Sequence, residues 1–505
     1  MKHFHLKSCL LSAILLTVSF GATAQVNLKI ARGDKDTVFS SKHYVVGITD
    51  PGCKATVNGE EVKVYENTGA FGAEVMLSEG DNPINVTVTK GGKSESKDFS
   101  VYYKAGRQPR PERLMTMDQA RREIDHQSFK ERDFYGESVG NAYLQWGDGD
   151  DRLGGSKIGY IEEGIVMHIV GEKGDLYKVQ LSQNRYAFID RENIRPTDKK
   201  TEVINTGSWS VTNTGKRDRV YINLGRKLPY AAWTQLDPTT ICVDIYGAMN
   251  NSNWITQRDE LGIIDYVDWR QVDSDVFRVI IKLKEKYFWG FSVGYERNNM
   301  VITVRHRPDQ MSLKGMKIGL DAGHGGPSSL GAVSVTGINE KDVNLDIVYH
   351  LKAMLEAKGA TVVLSRPDDR EVSMAERRKF FKDEDVDLMV SVHNNAGGSP
   401  LVPMGTSTYY KHIANRDMAK CVFNRMMELG FPSFGVTGNF NFSLGTPTDY
   451  PNILVEGLFM SSLVDENFMA TDANRKVMAN KILLGIEDYL KMVDASLDKS
   501  SRKKK

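Results

Sequence analysis

Two histidines and two glutamates between positions 324 and 456 carry the chemistry available to this sequence. Residues 317–326 read Lys-Ile-Gly-Leu-Asp-Ala-Gly-His-Gly-Gly, an apolar strand running into His324 between glycines. Glu340 follows in Ile-Asn-Glu-Lys-Asp at 338–342. His393 lies in Val-Ser-Val-His-Asn-Asn-Ala at 390–396, and Glu456 closes the apolar run Ile-Leu-Val-Glu at 453–456. Two imidazoles and one carboxylate match a catalytic zinc site, which uses three protein ligands and leaves a position for water. The remaining carboxylate is then a candidate to move a proton, and the chemistry is metal-assisted hydrolysis.

Each residue has a plainer role when taken alone. A strand-end histidine usually packs or hydrogen-bonds, and a glutamate in a first helical turn is a favourable charge at the helix dipole. Glu456 is harder to dismiss, because a carboxylate ending an apolar strand needs a partner or a chemical role. The surrounding elements explain how such distant residues can converge. Strands alternate with helices here, as in βαβ units, and open sheets of that kind hold their sites beyond the carboxyl ends of the strands. Asn339 can cap a helix beginning at Glu340. Ile338 and Val343 take its staple positions, and Val343, Ile347, Leu351 and Leu355 repeat at a spacing of four before Gly359. Residues 361–364, 387–392, 406–410 and 452–455 supply further strands, and 415–429 and 475–493 further helices. Gly323, Gly325 and Gly326 allow a tight backbone around His324. Asn394 and Asn395 are candidates to bind substrate or orient ligands, and Asp321 to support the metal site from behind. His306, His350 and His412 lack a glycine-flanked strand-end setting and read as surface or packing residues. Residues 435–451 read as a flexible loop at the cleft.

These segments carry a resemblance. Residues 316–493 are similar to the zinc-dependent N-acetylmuramoyl-L-alanine amidases of bacterial cell walls, the Amidase_3 family. Its Asp-x-Gly-His-Gly-Gly start, Glu-Lys-Asp helix opening, Ser-x-His-x-Asn segment and late catalytic glutamate all occur in order. The resemblance implies that His324, Glu340 and His393 bind one Zn2+ per catalytic domain, with Glu456 as general base and then acid. It also implies the substrate, the amide between N-acetylmuramic acid and L-alanine in peptidoglycan; spacing alone supports only a zinc-dependent hydrolase. Arg366 and Arg378 match arginines usual in the family and are expected in ion pairs or at a substrate carboxylate. The family usually reads Glu-Leu-Gly-Phe around the last glutamate. This chain reads Glu-Gly-Leu-Phe at 456–459, so the backbone there is expected to be shaped differently. Two rivals use the same residues: another zinc-dependent envelope hydrolase (peptidase or deacetylase), and a non-catalytic wall-binding protein. No blocking helix of the kind that holds some family members inactive is read between His393 and Glu456. An envelope activator or targeting protein is a further expected partner.

The rest of the chain sets the context. Its 505 residues suggest about three or four domains, and a net charge of +1 lacks the strongly basic domain that nucleic-acid binding needs. Lys2 and Lys7 precede an apolar run at 9–20, and Ala-Thr-Ala at 22–24 precedes Gln25, the layout of a signal peptide. The run is shorter than the ~20 residues of a membrane span. The mature chain is expected in the periplasm or cell envelope, without a transmembrane segment. Cys53, Cys242 and Cys421 have no close pairing and read as small buried hydrophobes. The fold class is multidomain: three small all-β domains, then an α/β zinc hydrolase domain with a mostly parallel central sheet. The expected division is a signal peptide at 1–24, an immunoglobulin-like sandwich at 25–105, a linker at 106–137 with a charged helix near 117–130, an SH3-like barrel at 138–200, an AMIN-like β domain at 201–310, the catalytic domain at 311–495 and a basic tail at 496–505. The sandwich, with an Asn58-Gly59 hairpin, reads as a spacer, and the AMIN-like domain as an aid to placing the enzyme on the envelope. His168 reads as a packed core histidine, and Tyr287, Phe288, Trp289 and Phe291 as a core cluster, with sugar stacking the less favoured role.

Overall fold

The computed structural model describes residues 26–35, 37–106, 129–149 and 153–502. The expected leader, most of the charged segment at 117–130 and the last three residues of the tail lie outside them. Among the described residues no helix is long and apolar enough to cross a membrane.

Local sequence accounts for the first β segment. Lys54–Val57 pairs antiparallel with Glu60–Val62, and Asn58 and Gly59 between them have φ of 50° and 82°. That left-handed pair suits a two-residue hairpin, and Asn-Gly is the pair that tolerates it. Residues 28–103 make a three-stranded and a five-stranded sheet over a core that includes Val45, Phe71, Val86 and Val101. A seven-stranded antiparallel sheet follows. Its strand Lys130–Ser138 lies mostly inside the stretch expected as a linker, yet pairs with Val166–Lys173 and Ile194–Thr197. Only Gly136 and Ser138 are fully buried on that strand, so it carries no apolar alternation to betray it. His168 also differs from expectation. Met167 and Ile169 face the core, while His168 is half-exposed between Asp133 and Gln180 and stacks on Tyr135. An alternating strand sends its odd residue out.

Residues 204–305 form five-stranded, four-stranded and two-stranded sheets. Their core around Trp209, Ile245, Phe277 and Ile302 is continuous with that of the preceding sheet around Leu144, Ile169 and Ile189. The segments expected as two domains therefore share one apolar cluster. The aromatic cluster is core as well. Trp289 is fully buried and stacks on Tyr489 with ring centroids 6.1 Å apart, while Phe288 and Phe291 belong to the neighbouring β core. Cys53, Cys242 and Cys421 are buried and free.

The C-terminal part is α/β. In chain order it holds β1 (Lys317–Ala322), α1 (Glu340–Ala357), β2 (Thr361–Leu364), α2 (Met374–Asp383), β3 (Leu388–Asn395), β4 (Thr406–Tyr409), α3 (Arg416–Met427), β5 (Ser433–Thr437), β6 (Asn452–Phe459), α4 (Leu463–Met469) and α5 (Asp472–Arg502). The strand order is β2-β1-β3-β6-β4-β5, and every pairing is parallel except β6 with β4. Val390, Val392, Ile453 and Val455 point to the side of α1, α3 and α5; Met389 points to the side of α2 with Phe381, Leu444 and Tyr450. β5 occupies part of the stretch expected as a loop. α5 continues to Arg502, into the expected tail.

The first sandwich is no spacer. Val46 and Ala70 pack with Leu463 of α4, Leu401 of the β3–β4 connection and Val335 of the loop before α1. A Cβ on Gly72 would meet Leu401 Cδ2 at 2.7 Å and Leu463 Cδ1 at 3.2 Å. Asn67 clasps Asn467 with two hydrogen bonds of 2.9 Å. The sandwich thus presses on connections that follow β1, β3 and β6. Leu463 is fully buried there, and Leu463→Ala should cost about 2–5 kcal/mol of stability. Urea unfolding of the two proteins measures this; a loss below roughly 1 kcal/mol would mean that the sandwich does not dock tightly.

Candidate metal centre

The site begins with backbone geometry. β1 ends at Ala322, and His324 turns the chain with a left-handed φ of 62°. Such a conformation costs a non-glycine residue of order 1–3 kcal/mol and persists only where its surroundings impose it. Here two arginines do so. Arg366 donates to the carbonyls of Ala322 (2.8 Å), Gly323 (3.1 Å) and Lys341 (2.7 Å). Arg377 donates to the carbonyls of Ala322 (2.8 Å) and His324 (2.6 Å) and to Asp321 Oδ1 (2.6 Å). Three successive carbonyls are drawn inward, and the imidazole of His324 is left facing the site. Gly323 also makes room for the second histidine, since a Cβ there would lie 2.2–2.5 Å from ring atoms of His393. Gly331, not singled out by sequence, likewise leaves room for Glu340 and His324.

Around that turn three side chains converge. His324 Nε2 lies 3.3 Å from Glu340 Oε2, and His393 Nδ1 lies 3.0 Å from Glu340 Oε1. All three offer ligand atoms within 4.8 Å of one another. A tetrahedral zinc with bonds of ~2.0–2.1 Å separates its ligand atoms by about 3.3 Å, so the donor types and the spacing both fit zinc. Each ligand is also held from outside. Ser329 Oγ bonds His324 Nδ1 at 3.1 Å. Glu340 accepts from the backbone of Ala332 (2.8 Å) and Asn394 (3.1 Å) and from Asn344 Nδ2 (3.2 Å). Burial opposes the charge on Glu340, but hydrogen bonds with His324 and His393 prevail and hold its carboxyl far below the usual carboxylate range. For His393, burial favours the neutral ring, yet the bond to Glu340 and the nearby charge of Glu456 raise its pKa.

Glu456 is the register partner of His393 across the β3–β6 pair, on the same face of the sheet. Neighbouring strands lie ~4.8 Å apart, which puts the two side chains side by side. Both strands run on past these residues, to Asn395 and Phe459, with a register shift after His393; the residues lie in the last turns of the ladder, not at its end.

Other expected site residues fall differently. Arg366 is fully buried, with its donors on backbone carbonyls, so it shapes the His324 turn and cannot reach substrate. Asn394 also points inward: its Nδ2 donates to Asn344 Oδ1 (2.8 Å) and its Oδ1 accepts from Leu458 N (3.1 Å). A Cβ in place of the Gly457 hydrogen would meet Met478 Cε at 2.6 Å and Asn394 Oδ1 at 2.7 Å, so the glycine leaves room for both side chains. Asn395 is half-exposed at the rim, its Oδ1 bonded to Ala396 N. Asp321 touches no ligand side chain; it accepts from Ser365, Ser391 and Arg377 and acts through that arginine. Arg377, beside the expected Arg378, is the arginine that serves the site. Arg378 instead stacks on Tyr160 of the seven-stranded sheet. Asn441, in the expected loop, bonds Lys157 N, Leu153 O and Gly155 O, anchoring that loop to the same sheet. His306 bonds Asp218 and Gly215 O, and half-buried His412 bonds Thr446 O. His350 joins Asp346 and Asp472 in a partly exposed cluster, in which Arg475 pairs with Asp346.

Residues 318–488 match the family described as N-acetylmuramoyl-L-alanine amidase, and residues 209–304 match the AMIN domain. A Bacillus subtilis protein named "Uncharacterized protein YqiI" is 31% identical over 182 residues, 35% of this chain and 86% of its own length. "Probable cell wall amidase LytH" of Staphylococcus aureus is 30% identical over 202 residues, 40% of this chain and 67% of its own. Among solved structures, the catalytic domain of CwlV from Bacillus (Paenibacillus) polymyxa var. colistinus is 28% identical, with a TM-score of 0.33, covering 35% of this chain and 98% of that one.

The Asp321–Arg377 pair is almost wholly buried, so Arg377→Ala leaves a carboxylate without its partner and should cost about 3–5 kcal/mol. Burial disfavours the Asp321 charge, but Arg377 and the two serines hold its pKa below the ordinary 3.8. A carboxyl lowered in this way stabilises the fold above its ordinary pKa and loses that contribution as pH falls through the folded value. The stability gap between wild type and Arg377→Ala should therefore be widest near neutral pH and narrow in acid. A gap independent of pH would show that Asp321 carries no charge in the fold.

Proposed function

We propose, from the premise that this chain belongs to the N-acetylmuramoyl-L-alanine amidase family, that it is an exported enzyme using a zinc ion on His324, Glu340 and His393 to cleave the amide between N-acetylmuramic acid and L-alanine. The observation that carries the reading is the cluster of two imidazoles and one carboxylate at zinc-ligand spacing, with a second carboxylate beside it. A bound zinc would supply Lewis acidity to the scissile carbonyl and lower the pKa of water to ~7. The chain's own residues supply the rest. Glu456 takes the proton from the attacking water and returns it to the departing alanine nitrogen. Hydrogen bonds from Asn344 and the backbone of Asn394 keep Glu340 aimed at the ligand position, and Ser329 fixes His324 so that its Nε2 faces inward.

The substrate is peptidoglycan, and the place of action is the periplasm or cell envelope. The AMIN match at residues 209–304 supports a role in holding the enzyme against the envelope, where a targeting or activating protein would act. Mass spectrometry of peptidoglycan digested with and without a chelator tests the bond cleaved. Free stem peptides with an N-terminal alanine, lost on chelation, are expected. Products cut within the peptide, or deacetylated glycan, would replace the amidase reading by a peptidase or deacetylase.

Two sets of variants divide the roles. Alanine at His324, Glu340 or His393 should strip the metal, read by elemental analysis; a full zinc complement in all three would remove the assignment. Glu456→Gln should retain the metal and lose about 10²–10⁴ in rate, the usual worth of a general acid–base. If Glu456→Gln turns over normally, another group is the base; if it loses zinc, Glu456 is a ligand.

A further inference from the structure

A cavity of about 310 Å³ opens where the seven-stranded sheet, the AMIN-matched segment and the α/β domain meet. Tyr160, Tyr230, Val293, Arg378, Lys382 and Asp449 stand on its walls. It lies away from the metal centre, because residues 446–449 lead into the start of β6 and Glu456 sits towards its other end. The size is at the lower end of small-molecule sites, and an apolar lining with a few fixed polar groups is their usual composition.

Two of the charges here, Arg378 and Asp449, form no ion pair among the described residues, although Lys382 on the same wall favours ionised Asp449 through space. Arg378 lies 3.9 Å from the centroid of Tyr160 and donates through Nη1 to Ser443 Oγ. Among the described residues no carboxylate forms an ion pair with it. Asp449 accepts no hydrogen bond from another side chain among the described residues, and burial pushes its carboxyl up. Lys382 and Arg305 favour its ionised form through space, but Arg305 is already paired with Asp387. Lys379 is engaged with Asp383, and burial lowers His412 to about 4, leaving that ring neutral. A junction that merely held domains together would join a half-buried guanidinium to a carboxylate, since an unpaired buried charge is costly. Arg378 and Asp449 instead occupy one cavity with no ion pair between them. A planar guanidinium suits a carboxylate, and a carboxylate suits an ammonium group.

We propose that this cavity binds a short free peptide as a zwitterion, with its carboxylate on Arg378, its ammonium on Asp449 and its body against Tyr160, Tyr230 and Val293. The source of the peptide rests on the amidase reading. Adding water across the lactyl amide leaves a carboxylate on the sugar and a new ammonium on alanine, while the peptide keeps its own carboxylate. The uncut substrate has no ammonium at that nitrogen. The cavity would thus tell product from substrate, and an occupant would brace three segments of the chain together.

The test is equilibrium dialysis of the full chain, kept metal-free with chelator, against L-alanyl-D-glutamate, N-acetyl-L-alanyl-D-glutamate and inorganic phosphate. Saturable one-to-one binding of the free dipeptide is expected, at least about tenfold tighter than the acetylated one, as loss of one charged contact implies. Arg378→Gln and Asp449→Asn should each weaken it by a similar factor while melting as folded proteins. Absence of binding, equal binding of the acetylated peptide, or binding of phosphate alone would overturn the proposal, and these wild-type comparisons hold even if a variant fails to fold. Folded variants that bind normally would place the peptide elsewhere and also overturn it. Muropeptide cleavage, assayed separately with zinc, tests the amidase reading. A chain that binds the free dipeptide but cleaves nothing would remove that reading and keep the site; one that cleaves but does not bind would do the reverse.

Discussion

The grip of two buried arginines on three consecutive carbonyls is the constraint from which the rest of the site follows. Arg366 and Arg377 fix the carbonyls of Ala322, Gly323 and His324, and Arg377 is neutralised by Asp321 one strand residue earlier. That grip, with the bond from Ser329 to the ring, holds His324 in its left-handed conformation. Asp321 is in turn fixed by Ser365 after β2 and Ser391 within β3, so one carboxylate ties three neighbouring strands together. Burying such a pair in the sheet is rarely a net gain in stability over apolar packing. Its worth here is geometric: it makes the His324 turn a property of the sheet rather than of the loop.

The same logic extends outward through the β segments. The first sandwich presses on Leu463, Leu401 and Val335, which belong to connections following β6, β3 and β1. Those connections carry or adjoin the residues of the metal centre. Loops are ordinarily the mobile parts of a fold, and this external packing steadies the connections that adjoin His324 and Glu340. On the other face, Trp289 inserts into the α/β core against Tyr489, and Asn441 ties the 438–446 stretch to the seven-stranded sheet. The β segments are therefore part of the mould in which the α/β domain is set.

How much of this is legible in the chain depends on whether a residue acts locally. The helix at 340 is legible because a staple and a spacing-of-four stripe lie within its own sequence, although Asn339 at its N-cap makes no capping bond and donates instead to Asp342; the Asn58-Gly59 turn is legible because it too is local. The four central residues are legible because each sits in a glycine- or strand-bounded segment of unusual composition. What stays hidden is what long-range packing decides. Arg377 and Arg378 are adjacent and chemically alike; only the facing of α2 sends one to Asp321 and the other to Tyr160. Asn394 resembles a substrate ligand until Asn344, fifty residues away, takes its amide. The strand Lys130–Ser138 has no apolar face of its own, and the capping box of α2 at Ser373 and Glu376 is masked by a strongly charged segment.

These placements change what an outer β segment can do to catalysis. Ligand atoms spaced at 3.0 and 3.3 Å leave little tolerance, since a metal site must be held to within about 0.5 Å by residues that are themselves locked. Ser329 and Ala332, which orient His324 and Glu340, lie on the same loop as Val335, and Val335 is packed by the sandwich. Thr336, the next residue, is fixed by Glu466 of α4, the helix that the sandwich also covers. The sandwich thus packs on the loop that orients two of the three candidate ligands, His324 and Glu340, while His393 and Glu456 are built into adjacent strands. The candidate centre accordingly has one half fixed by the strand ladder and another half fixed by domain packing.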